Sequence, residues 1–324
     1  MFENMAIMKG ARIAVETCMK LKPEETVVVV TDSKMVKLAE AFAYAAAYLG
    51  AKTVTTIMAP TKQHAAEPPE PVAEAMKAGD VLLLPTTMSL SHTEARRAAT
   101  KQGARIASMP TITEDMMSVG GLTANYKEVA ALTKKVGTRM KSAKNVNITT
   151  PSGTSIKMSV EGRPAMDDTG LYHQRGDWGN LPAGEVCLAP VEGTTNGIFV
   201  IDSLVDTALH LSITRPLRVT VKDGWAKKFE GPDTAQLLKI LETSDKNAYN
   251  IAELGIGTNA KARVIGNVLE DEKVLGTVHI AVGDNTSFQG GHTKSNIHLD
   301  GILFKPTVTV DKKLLMKDGK LLVA

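Results

Sequence analysis

Apolar and polar positions along this chain follow two different rhythms. Through roughly the first 145 residues, short β-branched or leucine-rich runs alternate with longer stretches of helical spacing, as in strand-helix-strand units of a mostly parallel sheet. Residues 26–31 (TVVVVT) read as a buried strand. Residues 35–49 follow with Val36, Ala39, Phe42, Ala43, Ala46 and Leu49 on one helical face, stopped by Gly50. The theme repeats, with strands expected at 54–57, 81–84 and 105–108 and helices at 71–78 and 92–102, the helices ending at Gly79 and Gly103. The pattern predicts an α/β chain whose N-terminal domain, residues 1–144, is a doubly wound parallel sheet.

Near Lys144 the period changes. Residues 146–150 and 155–160 alternate apolar and polar positions, joined by Pro151-Ser152-Gly153-Thr154, a hairpin-type turn. Further strands are expected at 185–188, 198–201, 217–221, 279–282, 297–303 and 307–310, with one helix at 234–242 capped by Asp233. Residues 145–324 therefore read as a second, β-rich α+β domain, without tandem repeats or low-complexity segments.

Composition narrows the function. With 324 residues, 43% of them hydrophobic and 23% charged, the chain can bury a sizeable core, which excludes disorder as its main state. Its net charge is only +3 and no basic run occurs, so nucleic acid and anionic membranes are not expected partners. No stretch approaches the roughly 18 apolar residues of a membrane helix, and residues 1–9 lack the apolar segment of a signal peptide. Cys18 and Cys187 lie far apart among apolar neighbours, which suits buried thiols in a reducing, cytoplasmic setting.

Two motifs are decoys. Gly255-Ile256-Gly257-Thr258-Asn259-Ala260 matches a loose dinucleotide fingerprint, but no hydrophobic strand precedes it, and a glycine turn is expected instead. The sequons at Asn147 and Asn285 carry no meaning without export.

Candidate chemistry concentrates late in the chain. Three of seven histidines, His279, His292 and His298, fall within twenty residues. In Ile297-His298-Leu299-Asp300, period-2 geometry sends His298 and Asp300 to one face of a strand and the two apolar side chains to the other, so the pair can grip one ion. In 278–282 (VHIAV) the same alternation isolates His279, whose partner must come from elsewhere in the fold. Glu185 (NLPAGEVCLAP, 180–190) and Glu253 (AEL, 252–254) are lone acids among apolar neighbours; if buried, each must be paired, metal-bound or protonated. Cys187 shares the strand face of Glu185, while the acids of 269–273 (LEDEK) have two readings, support behind the metal ligands or a solvated turn, and the solvated turn is expected.

Taken in order, NLPAGEVCLAP, AEL, HIAVG (279–283) and IHLD (297–300) resemble the four signatures of the thermophilic-type metallo-aminopeptidases, the aminopeptidase T and S group. The resemblance implies an α/β N-terminal domain, a homodimer, and a two-metal site ligated by Glu185, Glu253, His279, His298 and Asp300. It implies a hydrolase removing N-terminal residues from peptides or small amino-acid-derived substrates with zinc, cobalt or manganese. Five ligands with three carboxylates suit a pair of divalent ions, which would polarise the scissile carbonyl and activate a bridging water. One departure stands out: the family's catalytic tyrosine position is Thr286 here, so the catalytic group is unassigned. The chain also resembles, more distantly, ring-cleaving dioxygenases of dihydroxypyridines, which keep the final His-x-Asp but place a second histidine where Glu253 stands. In that alternative His279, His298 and Asp300 would form a non-haem iron triad. A third reading is a ligand-binding relative whose catalytic apparatus has decayed.

Overall fold

The structure is a computed structural model describing residues 2–323. It divides into two compact units, each recruited from three separate stretches of chain. The first takes residues up to Ala130 with Asp168–Ala183 and Ala260–Arg263; the second takes Ala131–Asp167, Gly184–Asn259 and residues from Val264 onward. A chain expected to divide once, after residue 144, thus returns to the first unit twice.

In the first unit a five-stranded, all-parallel sheet has the spatial order Lys52–Met58, Thr26–Asp32, Val81–Leu84, Arg105–Ser108, Trp178–Asn180. The first strand lies between the second and third, the mark of a doubly wound sheet. Val28, Val30, Leu82, Leu84 and Ile106 pack on Val72 and Met76 of the helix Glu70–Ala78 and on Ala95 and Ala99 of the helix Glu94–Gln102. Local chemistry sets the ends of the latter helix: the Thr93 hydroxyl accepts from the Arg96 N–H at its start, and Gly103 closes it at φ 100°. The strand Trp178–Asn180 breaks the expectation that everything past residue 144 belongs to a β-rich domain. It is only three residues long, Trp178-Gly179-Asn180, too short to carry a periodic signal.

The second unit contains an eight-stranded sheet and a five-stranded sheet whose facing side chains form one apolar cluster. The hairpin read around Gly153 is present, pairing Asn145–Thr149 with Ser155–Ser159. The helix Thr234–Thr243 also forms, but Asp233 does not cap it; its carboxylate binds Arg215 instead.

The smaller sheet carries the chemistry. Its antiparallel strands His298–Leu303, Val278–Gly283, Ile251–Gly257 and Glu185–Leu188 lie in that order. Val186, Leu188, Leu254, Ile256, Val278, Ile280, Val282, Leu299 and Leu303 enter the core cluster, so the alternate residues all face away from it. Strand Ile251–Gly257 replaces the expected glycine turn and is buried throughout. Glycine and glutamate weaken its strand signature, yet both glycines are demanded by crowding: a Cβ on Gly257 would lie 2.1 Å from the Val274 carbonyl oxygen. Among the described residues, no helix is long and apolar enough to cross a membrane.

Candidate metal centre

Alternation places Glu185, Glu253, His279, His298 and Asp300 on the same face of four adjacent strands, and the register provides room for them. His279 lies across from Gly255, Glu185 from Gly257, and His298 from Gly283, while Glu253 and Asp300 flank Ala281 on its two sides. Large polar side chains thus alternate with the smallest residues available. The requirement is strict at Gly255, where a Cβ would sit 1.9 Å from His279 Nε2.

All five residues meet. Glu253 is the hub: its Oε1 lies 3.2 Å from His279 Nε2 and its Oε2 lies 2.8 Å from His298 Nε2. Glu185 Oε2 is 3.3 Å from His279 Nε2, and Asp300 Oδ1 is 3.4 Å from His298 Nε2. Glu185, Glu253, His279 and Asp300 are at most 8% exposed. The His298 Nδ1–H donates to the Asp284 carbonyl oxygen at 2.7 Å, turning Nε2 toward the carboxylates.

The segment 269–273 contradicts its expected solvation. Glu270, Asp271 and Lys273 are buried, and Lys273 Nζ donates to Glu185 Oε1 at 2.6 Å and to Glu272 Oε1 at 2.5 Å. A run of four charged residues reads as surface by composition; its position just ahead of the His279 motif carried the other reading, support behind the ligands, and the contacts of Glu272 and Lys273 favour that one. Three side-chain sets each bring ligand atoms within 4.8 Å of one another, the spacing a metal ion needs: Glu185, Glu253 and His279; Glu253, His298 and Asp300; and Glu272, His279 and Asp300. None of the three joins His279 to His298, so the expected iron triad of His279, His298 and Asp300 is not gathered as one set.

Charge in the site is strongly coupled. Burial pushes His279 down, but its hydrogen bond to Glu253 and the charges of Glu185, Glu253 and Asp300 outweigh this and hold it up at about 9. His298 is likewise held well above the usual imidazole range, chiefly by Asp300 and Glu253 acting against burial. Glu253 shows the reciprocal effect: burial raises it, and the two imidazoles more than reverse that, leaving it well below the carboxylate range. Burial pushes Glu272 up to about 8; Lys273 opposes the shift, while Glu185 and Asp300 add to it.

Other sequence candidates stay apart from the cluster. His292 is exposed beside Glu192. Thr286 folds back on Asp284 in an exposed turn, its N–H and hydroxyl both donating to Oδ1, so it does not stand in for a catalytic tyrosine. The Tyr172 hydroxyl donates to Asp168, and Tyr249 packs edge-on against Phe229. Cys187 is buried on the face of Glu185, and neither cysteine forms a disulfide.

Comparison with known proteins now bears on this geometry. The sequence-family model of NicX, 2,5-dihydroxypyridine 5,6-dioxygenase, matches residues 8–323. A 2,5-dihydroxypyridine 5,6-dioxygenase of Pseudomonas putida is 23% identical over 258 residues, 76% of this chain and 71% of that protein. The structure of the 2,5-dihydroxypyridine dioxygenase from Pseudomonas putida KT2440 superposes with a TM-score of 0.83 at 17% identity, covering 99% of this chain and 98% of that one. AmpT from Thermus thermophilus superposes with a TM-score of 0.74 at 17% identity, covering 98% and 99%. The latter likeness is one of fold. The aminopeptidase assignment, with its hydrolase and metalloprotease activity, is overturned by the family match across nearly the whole chain and by the dioxygenase relative. The local motifs misled because ligand residues on a shared fold do not specify the reaction. The chain belongs to the 2,5-dihydroxypyridine 5,6-dioxygenase family.

Proposed function

We propose that this protein is a non-haem iron(II) dioxygenase that opens the ring of a dihydroxylated pyridine with dioxygen, and that the iron is held by Glu253, His298 and Asp300. The observation that carries this reading is the convergence of the His-x-Asp pair with Glu253, at the position where the resembling dioxygenases place a second histidine. One imidazole and two carboxylates remain a competent oxygen- and nitrogen-donor set for ferrous iron, open to further ligands. The residues fit such an ion: Asp300 Oδ1 is buried and accepts no hydrogen bond among the described residues, the state of a carboxylate oxygen aimed at a cation.

Iron(II) bound there would supply the one-electron chemistry with dioxygen that no side chain offers. The surrounding residues do the rest. The Asp284 carbonyl fixes the His298 ring, and Glu253 is fixed in turn by His279 on its other oxygen. A buried set of acids disfavours anions, and the ion pair of Lys273 with Glu185 reduces the negative charge that a hydroxypyridine would meet. Glu185 Oε2 is placed to accept the proton of a substrate hydroxyl. Phe288, with its ring centroid 6.1 Å from that of His298, offers an apolar surface beside the site for an aromatic ring.

The deciding experiment is oxygen-electrode measurement on protein loaded anaerobically with Fe(II) and supplied with 2,5-dihydroxypyridine. Stoichiometric oxygen uptake with loss of the pyridine absorbance is expected. No uptake with this or other dihydroxylated pyridines, from protein with verified iron content, overturns the reading.

A further inference from the structure

A recess of about 200 Å³ is built wholly from residues of the first unit, and its charge is lopsided. Lys20 and Lys22 follow the helical turn Ile13–Cys18, Arg105 opens the strand Arg105–Ser108, and Arg175 lies in the loop ahead of Trp178–Asn180. Among the described lining residues the one acid is Glu25, just ahead of the strand Thr26–Asp32. Four cations thus gather around one carboxylate at the amino ends of the parallel strands. Doubly wound sheets bind their ligands at the opposite, carboxyl ends, so the usual site of the fold does not account for this gathering. We propose that the recess is a binding site for inorganic phosphate as the monohydrogen dianion, held by Lys20, Lys22 and Arg175 and recognised by Glu25.

One of the four cations is already committed. Arg105, only 5% exposed, donates to the Met19 carbonyl oxygen and, at 2.6 Å, to Glu25 Oε2. No described acid answers the other three. Arg175 Nη2 donates to the Gln102 carbonyl oxygen at 2.7 Å, and neither the Lys20 nor the Lys22 ammonium donates to a described residue. Three uncompensated cations around one small recess repel one another, and a compact dianion relieves that repulsion. Ammonium groups and a guanidinium fork are also the donors that suit phosphate oxygens. Glu25 then decides which dianion is taken. Its Oε2 accepts from Arg105 and, at 2.8 Å, from the Lys22 N–H, while no described residue donates to Oε1. A fully ionised anion such as sulfate turns only lone pairs toward that oxygen and is repelled. Monohydrogen phosphate has the same charge and shape but keeps one P–O–H, which can donate to Glu25 Oε1, so the carboxylate selects for it.

Isothermal titration calorimetry of the full-length protein with sodium phosphate and, separately, sodium sulfate tests this in a mildly alkaline buffer where both are dianions. Phosphate is expected to saturate at one per chain and to bind about tenfold or more tightly than sulfate at equal ionic strength, the gain expected of one hydrogen bond to a charged group. The same result is expected with and without chelator, which separates the recess from phosphate taken by an ion at the metal centre. Replacing both exposed lysines, Lys20→Gln with Lys22→Gln, should weaken phosphate binding by about tenfold or more while the circular dichroism stays that of the wild type. Glu25→Gln, whose amide can serve either anion, should bring the two affinities close to equal. Equal affinity for sulfate and phosphate in the wild type marks a non-selective basic surface and overturns the proposal. Absence of phosphate binding, its loss on chelation, or its survival unchanged in the folded double lysine variant overturns it as well. The wild-type comparison decides the matter even where Glu25→Gln fails to fold, and none of these outcomes bears on oxygen uptake, so this inference and the dioxygenase reading fail separately.

Discussion

Replacing Gly255 by alanine is a one-carbon change that tests the cross-strand packing under the candidate metal centre. The added Cβ would lie 1.9 Å from His279 Nε2 and 2.0 Å from Cε1. Ordinary contact requires about 3.4 Å or more, so the ring must retreat by roughly 1.5 Å. His279 Nε2 now lies 3.2 Å from Glu253 and 3.3 Å from Glu185, and a retreat of that size breaks at least one contact. Overpacking costs about 1–3 kcal/mol. Loss of a buried charged hydrogen bond adds about 1.5–3 kcal/mol. Against this, alanine reduces the freedom of the unfolded chain and returns about 0.4–1 kcal/mol. The balance is a loss of about 3 kcal/mol, a melting temperature lower by roughly 5–10 °C in chelated protein. The opposing sign of the entropic contribution makes the test sharp: differential scanning calorimetry showing an unchanged or raised melting temperature would refute the packing of His279 on Gly255.

Further outcomes follow from the same geometry. In chelated protein, His279 is raised from 6.5 to about 9, so its contribution of up to about 3 kcal/mol is complete below pH 6.5 and lost as pH rises through about 9. Urea unfolding at several pH values should therefore show the stability gap between wild type and His279→Gln closing over that window; a constant gap counts against it. Loading with Fe(II) or Mn(II) should raise the melting temperature by several degrees over chelated protein, because the ion binds only the folded state. Glu253→Gln should weaken ion binding by roughly 10–100-fold in equilibrium dialysis, since this carboxylate contacts both imidazoles. Thr286→Ala should change neither ion affinity nor oxygen uptake measurably, its hydroxyl being committed to Asp284.

The sequence by itself determined the α/β rhythm of the first unit, because a strand such as Val81–Leu84, buried along its whole length, must be apolar at every position. It also determined the facing of Glu185, His279, His298 and Asp300, since period-2 alternation sorts each strand locally into a core face and a chemical face. Tertiary structure decided what alternation could not reach. Strand Ile251–Gly257 was illegible because its glycines answer crowding from His279 and Val274, residues distant in sequence. Trp178–Asn180 joins the parallel sheet through backbone pairing with Arg105–Ser108, which leaves no periodic imprint on three residues. Lys273 looks like surface in a run of charges; it is buried because Glu185 and Glu272 meet its ammonium there, and such long-range charge pairing has no signature along the chain. The reaction lay beyond the motifs for a related reason: a dioxygenase and AmpT share this fold, and a fold does not name the chemistry done on it.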